Sequence, residues 1–284
     1  MSWQFAVSTL GMPGVPVEEA VQVAARHGCD GLEIRTHPDE EVHLGLTDPR
    51  AESVRTQIAD GGLEIACLAG YAKVCAPGPD GPVVAELRAL VDLAHRLGAP
   101  SVRVFPGGGA GSSGGGGAAS SGGAGAVDAG ADAGAGAGGD GRAGSRIGAV
   151  LDDLRASGVR LLVETHDSHP TGESALRLVA PFAAPELVAV LWDAQHPWRH
   201  GEPPERTRAV LGDYLGYFQV KDAASREDRT PVLPGKGAVP LDECGDLLRP
   251  WSGWLSLEWE KAWYPAIPSI DAPLRAAADW FRRW

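Results

Sequence analysis

The stretch VAVLWDAQH, residues 188–196, sets five apolar residues in a row before an aspartate and a turn that carries a histidine. A short run that is apolar at every position suits a strand buried on both faces of a parallel sheet. Three neighbouring stretches repeat the pattern. RLLVET (160–165) carries Glu164 near its end, GYFQVK (216–221) carries Gln219, and WLSLEW (254–259) carries Glu258. Acids inside such runs are costly to bury unless they are paired or bound to a cation. Four ligand-type side chains placed late in four consecutive strands therefore point to one shared site.

Working outward, FAVST (5–9), GLEIR (31–35), LEIACLA (63–69) and SVRVF (101–105) complete a set of eight strands, with helical patterns between them. VEEAVQVAARHG stops on Gly28 and VVAELRALVDLAHRLG on Gly98, the usual C-terminal punctuation of a helix. The final helix, PLRAAADWFRRW, carries basic residues in its last turns, where they suit the helix dipole. Alternating strands and helices over 284 residues predict an α/β chain folded as a single (β/α)8 TIM barrel. An open doubly wound sheet is the competing arrangement, and no G-x-G-x-x-G follows the first strand to support its dinucleotide-binding form.

Residues 107–145 break the pattern, with nearly half of the chain's 39 glycines and otherwise mostly Ala and Ser. The composition predicts a flexible, disordered loop after strand four, either a lid over the barrel mouth or a tolerated insertion. Lengthening a loop about eightfold costs only ~2 kcal/mol of closure entropy. SRIGAVLDDLRASG, which follows, reads as the remnant of helix four.

The formal net charge of −12 argues against nucleic acid or an anionic membrane as a partner. No stretch approaches the ~20 apolar residues of a membrane span, and the N-terminus lacks a signal-peptide pattern. A cytoplasmic location follows as the expectation. Cys29, Cys67, Cys75 and Cys244 show no short paired spacing and read as free thiols. The Trp-rich C-terminal stretch suits either the core or a homo-oligomer interface.

Together the Glu of strand five, the D-x-x-H of strand six (Asp193, His196), the K-D after strand seven (Lys221, Asp222), the Glu of strand eight and the G-x-G at Gly235–Gly237 give the chain a resemblance to the xylose-isomerase-like TIM barrels, which include sugar phosphate isomerases and epimerases. That resemblance implies one divalent metal ion on Glu164, Asp193, Gln219 and Glu258. Three carboxylates and an amide oxygen favour Mn2+ or Mg2+, with Co2+ a further candidate. It implies proton transfer by Glu164 and Glu258 on opposite faces of a sugar, through an enediolate, with His196 and Lys221 as further catalytic candidates. Glu33, Arg35, Arg103 and His166 are the substrate-binding candidates; internal ion pairs are the other reading for Glu33, Arg35 and Arg103. Epimerases of the family usually carry His where this chain has Gln219. Dehydratases of cyclic keto-polyols such as 3-dehydroshikimate are similar to it in using Gln, which makes a lyase the alternative. An endonuclease IV-like repair enzyme is a remoter one, because strands three and four supply no second ligand cluster.

Overall fold

The computed structural model of the chain describes residues 3–108 and 133–284. Eight parallel strands close into one barrel in chain order. They are β1 (Gln4–Ser8), β2 (Gly31–Arg35), β3 (Glu64–Lys73), β4 (Ser101–Phe105), β5 (Arg160–Glu164), β6 (Val188–Asp193), β7 (Leu215–Val220) and β8 (Trp254–Leu257). Around them run α1 (Val17–Arg26), α2 (Asp48–Asp60), α3 (Asp80–Leu97), α4 (Ala133–Gly148), α5 (Leu151–Ser157), α6 (Gly172–Val179), α7 (Gln195–Arg199), α8 (Pro204–Leu211), α9 (Leu241–Leu248) and α10 (Asp271–Phe281). The single-barrel expectation holds, and strand limits shift by a residue or two. β3 runs four residues further than expected, because after a register shift Lys73 pairs again with Phe105 of β4. Gly28 and Gly98 sit at φ +73 and +74, just past α1 and at the end of α3, as the stop signals require.

Strand alternation sorts the side chains. A small apolar plug of Ala6, Ala66, Cys67, Leu162, Ala189, Leu191 and Tyr217 fills the barrel interior. The larger core lies between strands and helices. Two residues beyond Leu162, Leu191 and Tyr217, on the same inward face, stand Glu164, Asp193 and Gln219. The barrel is thus apolar at depth and polar at its C-terminal mouth.

The loop expectation for 107–145 changes from residue 133 onward, where α4 begins; residues 109–132, the rest of that expectation, lie outside the described residues. Buried Ala143 and Ile147 dock α4 on the core. The Arg142 guanidinium donates to the Cys75 carbonyl, and fully buried Arg146 donates to four carbonyls (Lys73, Val74, Ala76, Gly78) and to Asp80. Tertiary anchoring thus overrides the low helix propensity of glycine. SRIGAVLDDLRASG is the end of α4 followed by α5, not a remnant. All four cysteines are free and buried. No helix among the described residues is long and apolar enough to cross a membrane.

Candidate active site

The ends of β2, β4, β5, β6, β7 and β8 gather a charged cluster with almost no solvent exposure: Glu33, Arg103, Glu164, Asp193, Gln219, Lys221 and Glu258. Lys221 and Glu258 lie one residue beyond β7 and β8, and Asp193 and Gln219 are register partners on adjacent strands.

Lys221 is the hub. Its Nζ lies 2.8 Å from Asp193 Oδ2 and 3.2 Å from Glu260 Oε1, and it also meets Glu258 Oε2. Burial works against the ammonium, yet these three acids outweigh it and hold Lys221 well above the usual lysine range. Burial likewise opposes ionisation of Glu258, and Lys221 and Arg103 pull its carboxyl below the usual range. Glu164 differs. Burial pushes it up to about 8, although Arg103 and His166 pull the other way.

Arg103 is fixed in place. It donates to the Gly70 carbonyl at 3.0 Å, lies 4.1 Å over the Phe105 ring, and sets Nε 3.1 Å from Glu164 Oε2. It therefore serves an internal carboxylate. Arg35 pairs with Glu40, donates to the Tyr71 hydroxyl at 2.8 Å and lies over the half-exposed Trp263 ring. Glu33 accepts from Gln219 Nε2 at 3.0 Å. Trp192 and Trp259 are core residues.

Asp193 Oδ1 accepts the backbone N–H of Gln195 at 2.7 Å and of His196 at 3.3 Å, so the D-x-x-H spacing starts α7 and sets His196 beside His166, ring centroids 4.3 Å apart. Burial, with His166 and Lys221 nearby, holds His196 well below the usual histidine range, which keeps it neutral. His166 moves upward: burial opposes its charge, but Asp167 and Glu164 outweigh it. Among the described residues, Glu164, His166 and His196 offer donor atoms within 4.8 Å of one another.

Asp222 and the G-x-G turn prove to be one device. The Asp222 carboxylate accepts the N–H groups of Ala223, Gly235, Gly237 and Val239. A Cβ on Gly237 would stand 2.1 Å from Asp222 Oδ1, so the second glycine is required. Lys236 points away to solvent as an exposed residue. Sequence reasoning missed Glu260, which lies beyond β8; its spacing of two from Glu258 was the available signal.

The donor set fits a hard dication. Five carboxylates, counting Glu260, face two permanent cations, Arg103 and Lys221. The buried oxygens Glu33 Oε2, Glu164 Oε2, Asp193 Oδ2 and Gln219 Oε1 accept no aligned hydrogen bond. Burying five carboxyl groups against two cations is costly, and the raised Glu164 carboxyl shows where that cost is met in the absence of further positive charge.

Fold and charge placement define the class: a (β/α)8 barrel with its charged cluster at the C-terminal mouth. The xylose isomerase-like TIM barrel family profile matches residues 21–284, and the chain belongs to that family. No curated protein matches it by sequence. Among solved structures it resembles the probable 3-DHS dehydratase AsbF from Bacillus anthracis, with 17% identity and TM-score 0.74 over 97% of each chain. It also resembles the IOLI protein with a bound zinc atom, at 15% identity and TM-score 0.74 over 99% of each chain. A third is the 3-keto-D-glucoside 4-epimerase YcjR from E. coli, at 14% identity and TM-score 0.73 over 100% of each chain. At these identities the likeness is one of fold.

Proposed function

We propose that the protein is a divalent-metal-dependent isomerase or epimerase of a sugar or sugar phosphate. The observation that carries this is the buried excess of carboxyl groups over cations at the barrel mouth, with the Gln219 Oε1 acceptor beside them free of any hydrogen bond. Glu164, Asp193, Gln219 and Glu258 would hold the ion, and their all-oxygen set favours Mn2+ or Mg2+. When bound, such an ion polarises a substrate carbonyl as a Lewis acid.

The chain's own residues supply proton transfer. Environments push the two glutamates apart, Glu164 up to about 8 and Glu258 below the usual range. In the metal-free site one carboxyl thus carries a proton near neutral pH while the other does not; a bound cation would displace the Glu164 proton and leave its carboxylate able to accept one from substrate. Arg103 aims Glu164, and Lys221 brings a positive charge to where an enolate oxygen would form. Neutral His196 is a proton shuttle or a hydrogen-bond partner for a substrate hydroxyl.

Gln219 supports a second reading, dehydration of a cyclic keto-polyol, to which the fold likeness to a probable 3-DHS dehydratase adds weight. The Glu164–His166–His196 cluster supports a nitrogen-rich ion position of the kind zinc prefers.

The test is proton NMR in D2O of Mn2+-loaded protein with ketoses, ketose phosphates and dehydroshikimate. Carbon-bound deuterium without loss of water is the expected result; an alkene signal identifies a dehydratase. Full turnover by both Glu164→Gln and Glu258→Gln would overturn the proposal. Nitrogen couplings in the pulsed EPR spectrum of bound Mn2+ would move the ion to the histidines.

A further inference from the structure

We propose that Glu33 is a positioning residue that selects which end of the Gln219 side-chain amide faces the strand-end cluster. An amide ligand differs from a carboxylate in one respect: its two ends have the same shape and opposite chemistry. Only the oxygen can hold a cation. A glutamine among metal ligands therefore needs something that commits its nitrogen elsewhere.

The structure contains that device. Gln219 and Glu33 are both fully buried. Gln219 Nε2 donates to Glu33 Oε1 at 3.0 Å and to Glu258 Oε1 at 3.2 Å. Turning the amide over would set its oxygen against two carboxylate oxygens at those same distances, a repulsive arrangement between buried side chains. The observed orientation leaves Gln219 Oε1 buried and free of any hydrogen bond. Glu258 also has Lys221 and Arg103 as partners. Glu33 reaches across from β2, 186 residues away in sequence, and accepts the Gln219 amide with the Ser8 and Tyr217 hydroxyls beside it and no Lys or Arg in salt-bridge contact among the described residues. It is the acceptor free to define the amide.

The orientation itself is tested without metal. The chain has five glutamines, so a spectrum of side-chain amides labelled with nitrogen-15 at glutamine is simple, and Gln219→Ala identifies the Gln219 pair. Glu33→Ala is expected to speed hydrogen exchange of that pair by about tenfold or more, leaving the other four as internal controls of the fold. Glu33→Gln, which can still present a carbonyl oxygen, is expected to restore protection. Unchanged exchange in Glu33→Ala overturns the inference.

The consequence for metal binding rests on the reading above. In a Mn2+ titration, Glu33→Ala is expected to weaken Kd about 10–100-fold, and Glu33→Gln only about threefold. In a Gln219→Ala background, Glu33→Ala is expected to add nothing, because the two act as a unit. Equal losses in both backgrounds overturn the positioning role. A wild type that takes up no Mn2+ overturns the metal reading instead, and the exchange result still decides Glu33.

Discussion

Lys221→Met removes one buried charge and keeps most of the side-chain volume. Lys221 has 3% side-chain exposure and contacts Asp193, Glu258 and Glu260. Taking away one partner of a buried ion pair leaves an uncompensated charge, at a cost of about 3–5 kcal/mol. At about 2 °C per kcal/mol for a chain of this size, the metal-free variant should melt roughly 6–10 °C below the wild type at pH 7. The loss should shrink in acid. Lys221 and Arg103 hold the Glu258 carboxyl below its usual range, so its contribution is present above the unfolded value near pH ~4.3 and fades as pH falls through the folded one. Saturating Mn2+ should restore more of the melting temperature to the variant than it adds to the wild type, since the ion supplies the missing charge; at 100 times Kd, binding alone contributes about 2.7 kcal/mol. Differential scanning fluorimetry at two pH values, with and without Mn2+, reads all three effects. A metal-free loss under about 2 °C, or an equal gain from Mn2+ in both proteins, would refute the charge accounting at the mouth.

Two further outcomes follow from named contacts. Arg146→Ala strips donors from four carbonyls of the β3–α3 connection and from Asp80; urea unfolding should show a loss of about 3–5 kcal/mol, and a loss below about 1 kcal/mol would mean that water replaces the guanidinium freely. Mn2+ uptake at pH 6.5 should release about one proton from Glu164, whose carboxyl burial pushes up to about 8; calorimetry in two buffers of different ionisation enthalpy measures it, and no buffer dependence would contradict it. By the same shift, the contribution of Glu164 to metal-free stability is full below about pH 4.5 and fades as pH rises towards 8, because the unfolded chain gives up that proton first.

The barrel was legible because its signal is local. Each strand announces itself as a short apolar run, and period-two alternation puts Leu162 with Glu164, Leu191 with Asp193 and Tyr217 with Gln219 on one face. The gathering of site residues at strand ends was legible for the same reason. Their pairing was not. The sequence leaves Arg103 open between a substrate partner and an internal counter-ion and reads Lys221 as a catalytic candidate, and only the closed barrel brings Arg103 to Glu164 and Lys221 to Asp193, Glu258 and Glu260. Ala133–Gly148 misled for the opposite reason: its glycine-rich composition says loop, while the helix depends on Arg142 and Arg146 reaching carbonyls some 70 positions earlier.

Gln219 joins these two kinds of legibility. Its residue type, visible in sequence, marks the departure from the histidine usual in epimerases of the family. Its chemistry depends on which end of the amide turns inward, and that is decided by Glu33 on a strand at the other end of the chain. A histidine there would bring a ring nitrogen whose lone pair is set by its other nitrogen. Gln219 instead leaves the four candidate ligands all-oxygen and adds no titratable group of its own. Proton traffic then falls to Glu164, Glu258 and the two histidines beside Glu164. Those groups serve proton return to a neighbouring carbon as readily as loss of a β-hydroxyl, so the choice between isomerase and dehydratase rests on how a substrate lies between Glu164 and Glu258, which the D2O experiment reads directly.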